Sequence, residues 1–529
     1  MANGVEQELE EGTEHREISV AEFFEKNKHL LGFENPQKSI ITVIKEAVDN
    51  SLDACEEEEI LPEIHVLIDE IGDEKCRVEI RDNAIGLSRE NIPKVFGKLL
   101  YGSKFHKLQQ SRGQQGIGIS AAAMYAQLTT GEPVTVWSKQ EGEPTHKFVV
   151  RIDTEENEPE IIEDEVVDED SDEFPGDKDY YFDHGTTIEM DIEAKYTKGH
   201  HSVRNYLKHT AIMNPYARVV LREPSGNKIE YPRVSKELPE RPKEIKPHPQ
   251  GVELGVMMRM VENTDARTVS SFFQNEFTRV GRTSAQDICE EADIDDGRRP
   301  NTLSKDEIEE LLDAAQRVKL QSPPTDCLSP IGEDLVLKGL EKELNPEFST
   351  AITRKPTVYK GNPFVVEVGL AWGGDLEEEG SFEELRYANK VPLLYKKSSC
   401  VTTKAIEEVD WSRYNISQAG DRPQGPLYIL VHMASVWVPF TSEGKEAIAN
   451  YDPIRKEMKL ALQEAGRKLG RYICRKERKE IQEKKKRQLT SYAKEMGPAI
   501  AQLAGEGDPE EMEQKIQELV ERDYNPEQL

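Results

Sequence analysis

The run Gly113-Gln114-Gln115-Gly116-Ile117-Gly118-Ile119-Ser120-Ala121 constrains this 529-residue chain more than any other segment. Its three glycines let the backbone take positive φ and bring amides close to a ligand. The Ala-rich continuation then supplies a helix whose first N–H groups lack intrahelical partners, and such a junction favours phosphate. A GxxxxGK[ST] run occurs nowhere in the chain, and the glycines do not follow the GxGxxG order. Neither a Walker-type loop nor a dinucleotide-binding turn is therefore expected.

Three further segments carry polar chemistry in an α/β pattern. A helix is expected from about Pro36 to Glu58, and at 100° per residue Glu46, Asn50 and Asp53 form one polar stripe opposite Ile41, Ile44, Val48 and Cys55. The strand Val78-Glu79-Ile80 runs into Arg81-Asp82-Asn83-Ala84-Ile85-Gly86, so Asp82 lies at a strand end, where it could accept a hydrogen bond from an exocyclic amine. His184-Gly185-Thr186-Thr187 precedes another strand, Ile188-Glu189-Met190. Alone, each has an ordinary reading as an amphipathic helix, a turn or a strand end.

Composition narrows the class. Asp plus Glu number 101 against 69 Lys plus Arg, a net charge of −32, which excludes a uniformly basic coat for nucleic acid and leaves only local patches for such contact. No apolar run approaches the roughly 20 residues of a membrane span, and the start MANGVEQELEEG lacks a basic-then-apolar leader, so a cytoplasmic protein without membrane contact is expected. The six cysteines are scattered without CxxC spacing. The chain divides into an acidic arm (1–18), an α/β module (19–235), a helical module (250–330), a second α/β module with a long charged helix (331–490) and an acidic helical tail (491–529). Long strands are expected over 357–372 and 426–440, and the helix from about Pro453 to Arg487. Within the first module, 155–179 reads as a solvated acidic insertion, with twelve carboxylates and no Lys or Arg between Glu155 and Glu173. Between Arg467 and Arg487, eleven Lys or Arg face three Glu, which suits a solvated helix or a surface near DNA or a partner.

In their fixed order, E(46)xxxN(50), D(82)NAIG(86), G(113)QQGIG(118) and G(185)TT(187) resemble the GHKL ATPases over about residues 20–220. SVAEFFEKNKHLLGFENPQKS, EAVDNSLDA, GQQGIGISAA and PFTSEGKEAIA further resemble the B subunit of DNA topoisomerase VI, a type IIB enzyme, from about Ser19 to Arg475. Ala84 stands where most GHKL members carry Gly. The resemblance implies an α/β (α+β) architecture: a GHKL (Bergerat) ATPase sandwich, a helix-two-turns-helix insert over about 268–330, and an α/β transducer. It implies ATP and Mg2+ as cofactors, with Glu46 as general base and Asn50 as the magnesium ligand. Asp82 with Gly86 would hold adenine, and Arg112, Gly113, Gln114, Gln115, Gly116, Ile117, Gly118 and Ile119 the phosphates. Ser103 and Lys104 would lie on a lid, Thr187 or Thr186 under the base, and Lys445 on the γ-phosphate. Implied partners are the topoisomerase A subunit in an A2B2 heterotetramer, a second copy of this chain in an ATP-dependent homodimer, and double-stranded DNA. The alternative is a stand-alone GHKL ATPase acting as a chaperone or interaction module. A histidine kinase is not expected, since only His15 and His29 precede the motifs.

Overall fold

The structure, a computed structural model, describes residues 20–102, 107–113, 116–167, 183–376, 382–442, 444–505 and 508–524. The first element among them is α1 (Val20–Asn27). Next comes α2 (Pro36–Glu57), opened by the Asn35 side chain accepting from the Lys38 amide, with Pro36 in the first turn. Its apolar residues Ile40, Val43, Ile44, Ala47, Val48 and Leu52 are all buried. The alternation Ile64, Val66, Ile68 and Val78, Ile80 forms an antiparallel hairpin of β1 (Glu63–Gly72) and β2 (Lys75–Asp82). Then follow α3 (Ile92–Gly97), α4 (Gly118–Thr130), β3 (Val134–Lys139), β4 (Thr145–Asp153), β5 (Glu158–Val167), β6 (Gly185–Glu193), α5 (Val203–Met213), β7 (Arg218–Arg222) and β8 (Lys228–Tyr231). The eight strands make one sheet in the order β5-β4-β3-β6-β2-β1-β7-β8, antiparallel except for β1 beside β7. Its inward residues join α2, α4 and α5 in one apolar core, whereas the outer face carries ion pairs such as Arg77–Asp191 at 2.7 Å.

Residues 158–167 are largely exposed, as expected of a solvated segment, but they are not an irregular insertion. They form β5, a full edge strand paired with β4 from Thr145↔Val167 to Asp153↔Glu158. A backbone ladder needs no apolar side chains, and the carboxylates are met by cations of adjoining elements: Lys147–Glu163 at 2.7 Å, Arg89–Asp164 at 2.7 Å and Lys98–Glu158. Gly97 of α3 packs directly on this strand, since a Cβ there would lie 2.6 Å from Pro159 Cβ. The rest of the expected insertion, 168–179, lies outside the described residues.

Beyond the proline-rich linker, α6 (Leu254–Asn263), α7 (Val269–Glu276), α8 (Arg282–Glu291) and α9 (Lys305–Arg317) enclose a separate small core around Phe272, Phe273 and Leu311. A capping box opens α9, with Ser304 accepting from the Glu307 amide and the Glu307 side chain reaching back. The last module contains α10 (Glu333–Leu344), β9 (Phe348–Thr353), β10 (Thr357–Tyr359), β11 (Asn362–Trp372), β12 (Glu383–Ala388), β13 (Val391–Pro392), α11 (Val401–Glu407), β14 (Ser417–Ala419), β15 (Arg422–Gln424), β16 (Leu427–Ser435), α12 (Asp452–Ala504) and α13 (Pro509–Asp523). Its sheet runs β10-β11-β16-β12-β13, with β9 also on β11. The two long strands are shorter than expected. A turn at Lys360-Gly361, both at positive φ, separates β10 from β11, and residues 436–440 leave the sheet after β16.

Because β11 and β16 are covered on both faces, they read as nearly continuous apolar runs. Val366, Val368, Ile429 and Val431 meet Ile454, Met458, Leu462 and Leu469 of α12 on one face. On the other, Ala371 and Leu430 meet Leu335, Val336 and Leu340 of α10, in a core that also holds Ile212, Met213 and Tyr216 of the first module. The two α/β modules thus share apolar contacts. Helix α12 extends 17 residues beyond the expected Arg487, and α13 folds back on it over the small buried residues Ala493, Gly497 and Ala501.

A close approach at this junction is between α10 and α5, where a Cβ added at Gly339 would lie 1.9 Å from the Ile212 carbonyl oxygen. Neither backbone can yield without moving a helix. Gly339→Ala is expected to destabilise the chain by about 1–3 kcal/mol in urea unfolding, while Gly255→Ala, where the added methyl meets open space, should leave the midpoint near that of the parent.

Candidate active site

A cavity of about 580 Å³ opens between α2, the end of β2, the glycine loop before α4 and the second α/β module. Its floor at one end is Asp82. That carboxylate is buried and accepts from Ser51 Oγ at 2.7 Å, the Ala84 amide at 3.0 Å and the Thr186 amide at 3.2 Å. Burial pushes its pKa up against these donors. The strand register decides which threonine shares the floor: Thr186 lies opposite Asp82, and Thr187 opposite Arg81. Thr186 lines the cavity and Thr187 does not, so of the two residues named from the sequence the structure brings only Thr186 to the floor. Gly86 also lines it at φ 73, where a Cβ would lie 2.1 Å from the Lys139 carbonyl oxygen. Only glycine fits there.

At the other end, α2 presents Glu46 and Asn50 to the cavity, as the polar stripe predicts. The first turn of α4 passes so close that a Cβ at Gly118 would lie 1.8 Å from Glu46 Oε2, and one at Gly113 would lie 3.4 Å from Asn50 Oδ1. Gly113, Gly116, Ile117, Gly118 and Ile119 all line the wall. Gln114, Gln115, Ser103 and Lys104 lie outside the described residues. Burial opposes the charge on Glu46, yet Lys45, with Nζ 3.3 Å from Glu46 Oε1, and Lys445 hold its carboxyl below the usual range.

Lys445 arrives from the second module. It adopts the left-handed conformation at φ 50, and its Nζ donates to the Arg112 carbonyl at 3.3 Å. Burial lowers its pKa, with Glu46 working in the opposite direction. The next residue, Glu446, is clamped by Lys38 of α2 and by Lys396 at 2.7 Å, which ties this loop to both modules. Leu393, Leu394 and Tyr395 complete that wall.

Arg112 has a different place from the one the sequence suggested. Its guanidinium points beneath the loop, donating to Asp53 at 2.8 Å, Glu56 at 2.5 Å and Asn214 at 2.6 Å, and it does not line the cavity. Sequence reasoning missed Lys45, Asp49, Tyr206 and Glu446. Asp49 lies about 60° from Glu46 on the same helical wheel, which is the signal that could have found it. Its carboxyl accepts from Tyr206 at 3.3 Å, and burial pushes its pKa up to about 6.

Among the described residues no cluster of three metal-ligating side chains occurs. Asn50 presents a neutral side-chain oxygen to the cavity, and one such ligand fits Mg2+, which keeps several waters and takes phosphate oxygens for the rest of its shell. The glycine wall, with backbone amides on one side and cations from two modules on the other, fits a phosphate chain.

Residues 35–156 match the family described as histidine kinase-, DNA gyrase B-, and HSP90-like ATPase, and residues 323–486 match topoisomerase VI B subunit, transducer. The B subunit of type 2 DNA topoisomerase 6 from Methanococcoides burtonii is 48% identical over 505 residues, covering 95% of this chain and 78% of the relative. Its counterpart in Archaeoglobus fulgidus is 50% identical over 467 residues, covering 88% and 75%. The counterpart in Pyrococcus horikoshii is 40% identical over 540 residues, covering 93% and 92%. Since this likeness spans nearly the whole chain and the ATPase and transducer matches follow in the order of the two α/β modules, the chain belongs to the family of topoisomerase VI B subunits, the ATP-hydrolysing subunits of a type II DNA topoisomerase.

Proposed function

We propose that this chain binds and hydrolyses ATP in the cavity between α2 and the transducer, and that nucleotide-driven pairing of two copies gates the passage of one DNA duplex through a break made by an A subunit. The reading assigns residues 19–235 to the ATPase domain, 250–330 to a helix-two-turns-helix domain and 331–490 to the transducer. Its partners are the A subunit, in an A2B2 assembly, and double-stranded DNA. One observation carries it: Lys445 of the transducer reaches the same cavity as Glu46 and the glycine wall. A stand-alone chaperone-like ATPase has no comparable support, since residues 323–486 match the topoisomerase VI transducer.

The roles follow from position and charge. Asp82 takes the adenine amine, and the amides that already bind its other lone pairs keep it from turning away. Asn50 Oδ1 would hold Mg2+, which when bound neutralises phosphate charge. Glu46, kept ionised by Lys45 and Lys445, orients the water that attacks in line and accepts its proton. Lys445 places a cation against the charge that grows on the transferred phosphoryl group. That contact exists with a γ-phosphate and is lost after hydrolysis, so the loop holding Lys445 favours different transducer positions in the two states.

Three measurements test these roles. Glu46→Ala should retain ATP affinity by equilibrium binding while turnover falls about 10²–10⁴-fold; parent turnover would remove Glu46 from the chemistry. Asp82→Asn should weaken ATP binding by about tenfold or more and narrow the preference for ATP over GTP, as competition binding would reveal. Lys445→Ala should hydrolyse more slowly and should also lose the shape difference between ATP-analogue and ADP states in small-angle scattering. An unchanged difference would leave Lys445 outside the coupling.

A further inference from the structure

A second set of charges lies outside the cavity, below the stretch that leads into the glycine wall. Asp53 and Glu56 of α2 surround Arg112, and the fourth member is Lys390 of the transducer, whose side chain is 3% exposed. Its Nζ donates to Glu56 Oε2 at 2.9 Å and to Ser329 Oγ at 3.1 Å. Two cations and two carboxylates therefore neutralise one another in a dry place. Such a cluster is seldom the most stabilising way to join two surfaces, because apolar side chains of similar volume avoid the desolvation cost.

The backbone around Lys390 is equally specific. Asn389 and Lys390 form the two-residue turn between β12 and β13, and both are left-handed, at φ 47 and 70. Such a turn favours Asn and Gly, and a Lys in the second place has no backbone reason to be there. The Asn389 side-chain amide donates to the Ser111 carbonyl at 3.0 Å. The Lys390 amide donates to His432 Nε2 at 3.0 Å, which leaves His432 Nδ1 to donate to Glu367 at 2.8 Å. Glu367 in turn accepts from the amides of Ile331 and Gly332 at the start of α10, at 2.9 and 2.7 Å. One unbroken polar path thus runs from Arg112, beside Gly113, to the middle of β11 and the first turn of the helix that joins the two modules.

We propose that Lys390 is a positioning residue through which the transducer holds the Ser111–Gly113 stretch in place, a second tie to the nucleotide cavity in addition to Lys445. The proposal rests on the reading of that cavity as an ATP site. Glu56 is shared by Arg112 and Lys390, so a shift of the hairpin tip by an ångström or two withdraws a cation from Glu56 and strains the Asn389–Ser111 bond. The loop then cannot keep its place while the transducer moves, and the loop's occupancy by phosphate biases the transducer in return.

The test uses the full chain carrying E56Q and K390M together, which removes one charge of each sign and leaves Arg112 paired with Asp53. The parent and the variant are compared for ATP turnover, for melting temperature, and for hydrogen exchange of residues 107–113 and 383–394 with and without a non-hydrolysable ATP analogue. The expected result is a melting temperature within a few degrees of the parent, a KM for ATP raised about tenfold with kcat changed less, and analogue-induced protection that reaches 107–113 but no longer 383–394. K390R, which keeps a cation within reach of Glu56, should recover most of the parent pattern. If the double variant does not fold, K390M alone, in which Glu56 keeps Arg112, is expected to show the same split in exchange. Parent KM together with analogue protection of both segments in either variant overturns the proposal. A parent chain that binds no ATP overturns the cavity reading instead, and is seen before any variant is made.

Discussion

Four carboxylates on one face of α2, Glu46, Asp49, Asp53 and Glu56, set the terms for the rest of the molecule. They recur at helical spacing on a segment whose other face is locked into the core of the sheet, so they cannot turn to water. Like charges in that position are tolerable only with cations among them. Lys45 and Arg112 come from the first module, and Lys445 and Lys390 from the second. The ATPase module therefore does not complete its own electrostatics. It borrows half of its neutralising charge from the transducer, and the two modules are held together by that requirement as much as by the apolar contact of α10 with α5.

The balance along this row is uneven. Burial would raise the carboxyl of Glu56, but Arg112 and Lys390 hold it down to about 2. A native value held below the usual 4.5 contributes stability above the unfolded pKa, and that contribution is lost as the pH falls towards 2. Asp49, with a Tyr206 hydroxyl and only distant cations, is pushed up to about 6, so its ionisation near neutral pH opposes folding. The strongly paired end of the row lies under the glycine wall; Asp49, the weakly paired member, does not line the cavity, and Glu46, which does, is held down by Lys45 and Lys445.

Much of this is legible in the sequence because it rests on short-range patterns. The α2 stripe, the β1–β2 hairpin, Asp82 at a strand end and the glycines before α4 each obey a local period or a backbone requirement. What escapes such reading depends on partners far along the chain. Lys390 and Glu56 are 334 residues apart, and nothing near either announces the other. The choice between Thr186 and Thr187 turns on strand register, since one residue changes which face a side chain occupies. Arg112 groups with its neighbouring glycines along the chain, but a long side chain can leave the surface its backbone lines. The acidic β5 is hidden because composition predicts burial better than backbone pairing, and an edge strand needs only one ladder.

Helix α12 leaves the transducer sheet after Ile473, its last residue in that core, and continues to Ala504. At about 1.5 Å per residue, roughly 45 Å of it projects beyond its root. The return of α13 along Ala493, Gly497 and Ala501 makes the outer part a double rod, which resists bending better than a single helix. The root rests on β9 and β11, and β11 is joined through Glu367 and His432 to the hairpin beneath the glycine loop. Over that length, a tilt of about 5° at the root carries the far end about 4 Å. A small change of angle at the root is therefore enlarged along the rod into several ångströms at its tip.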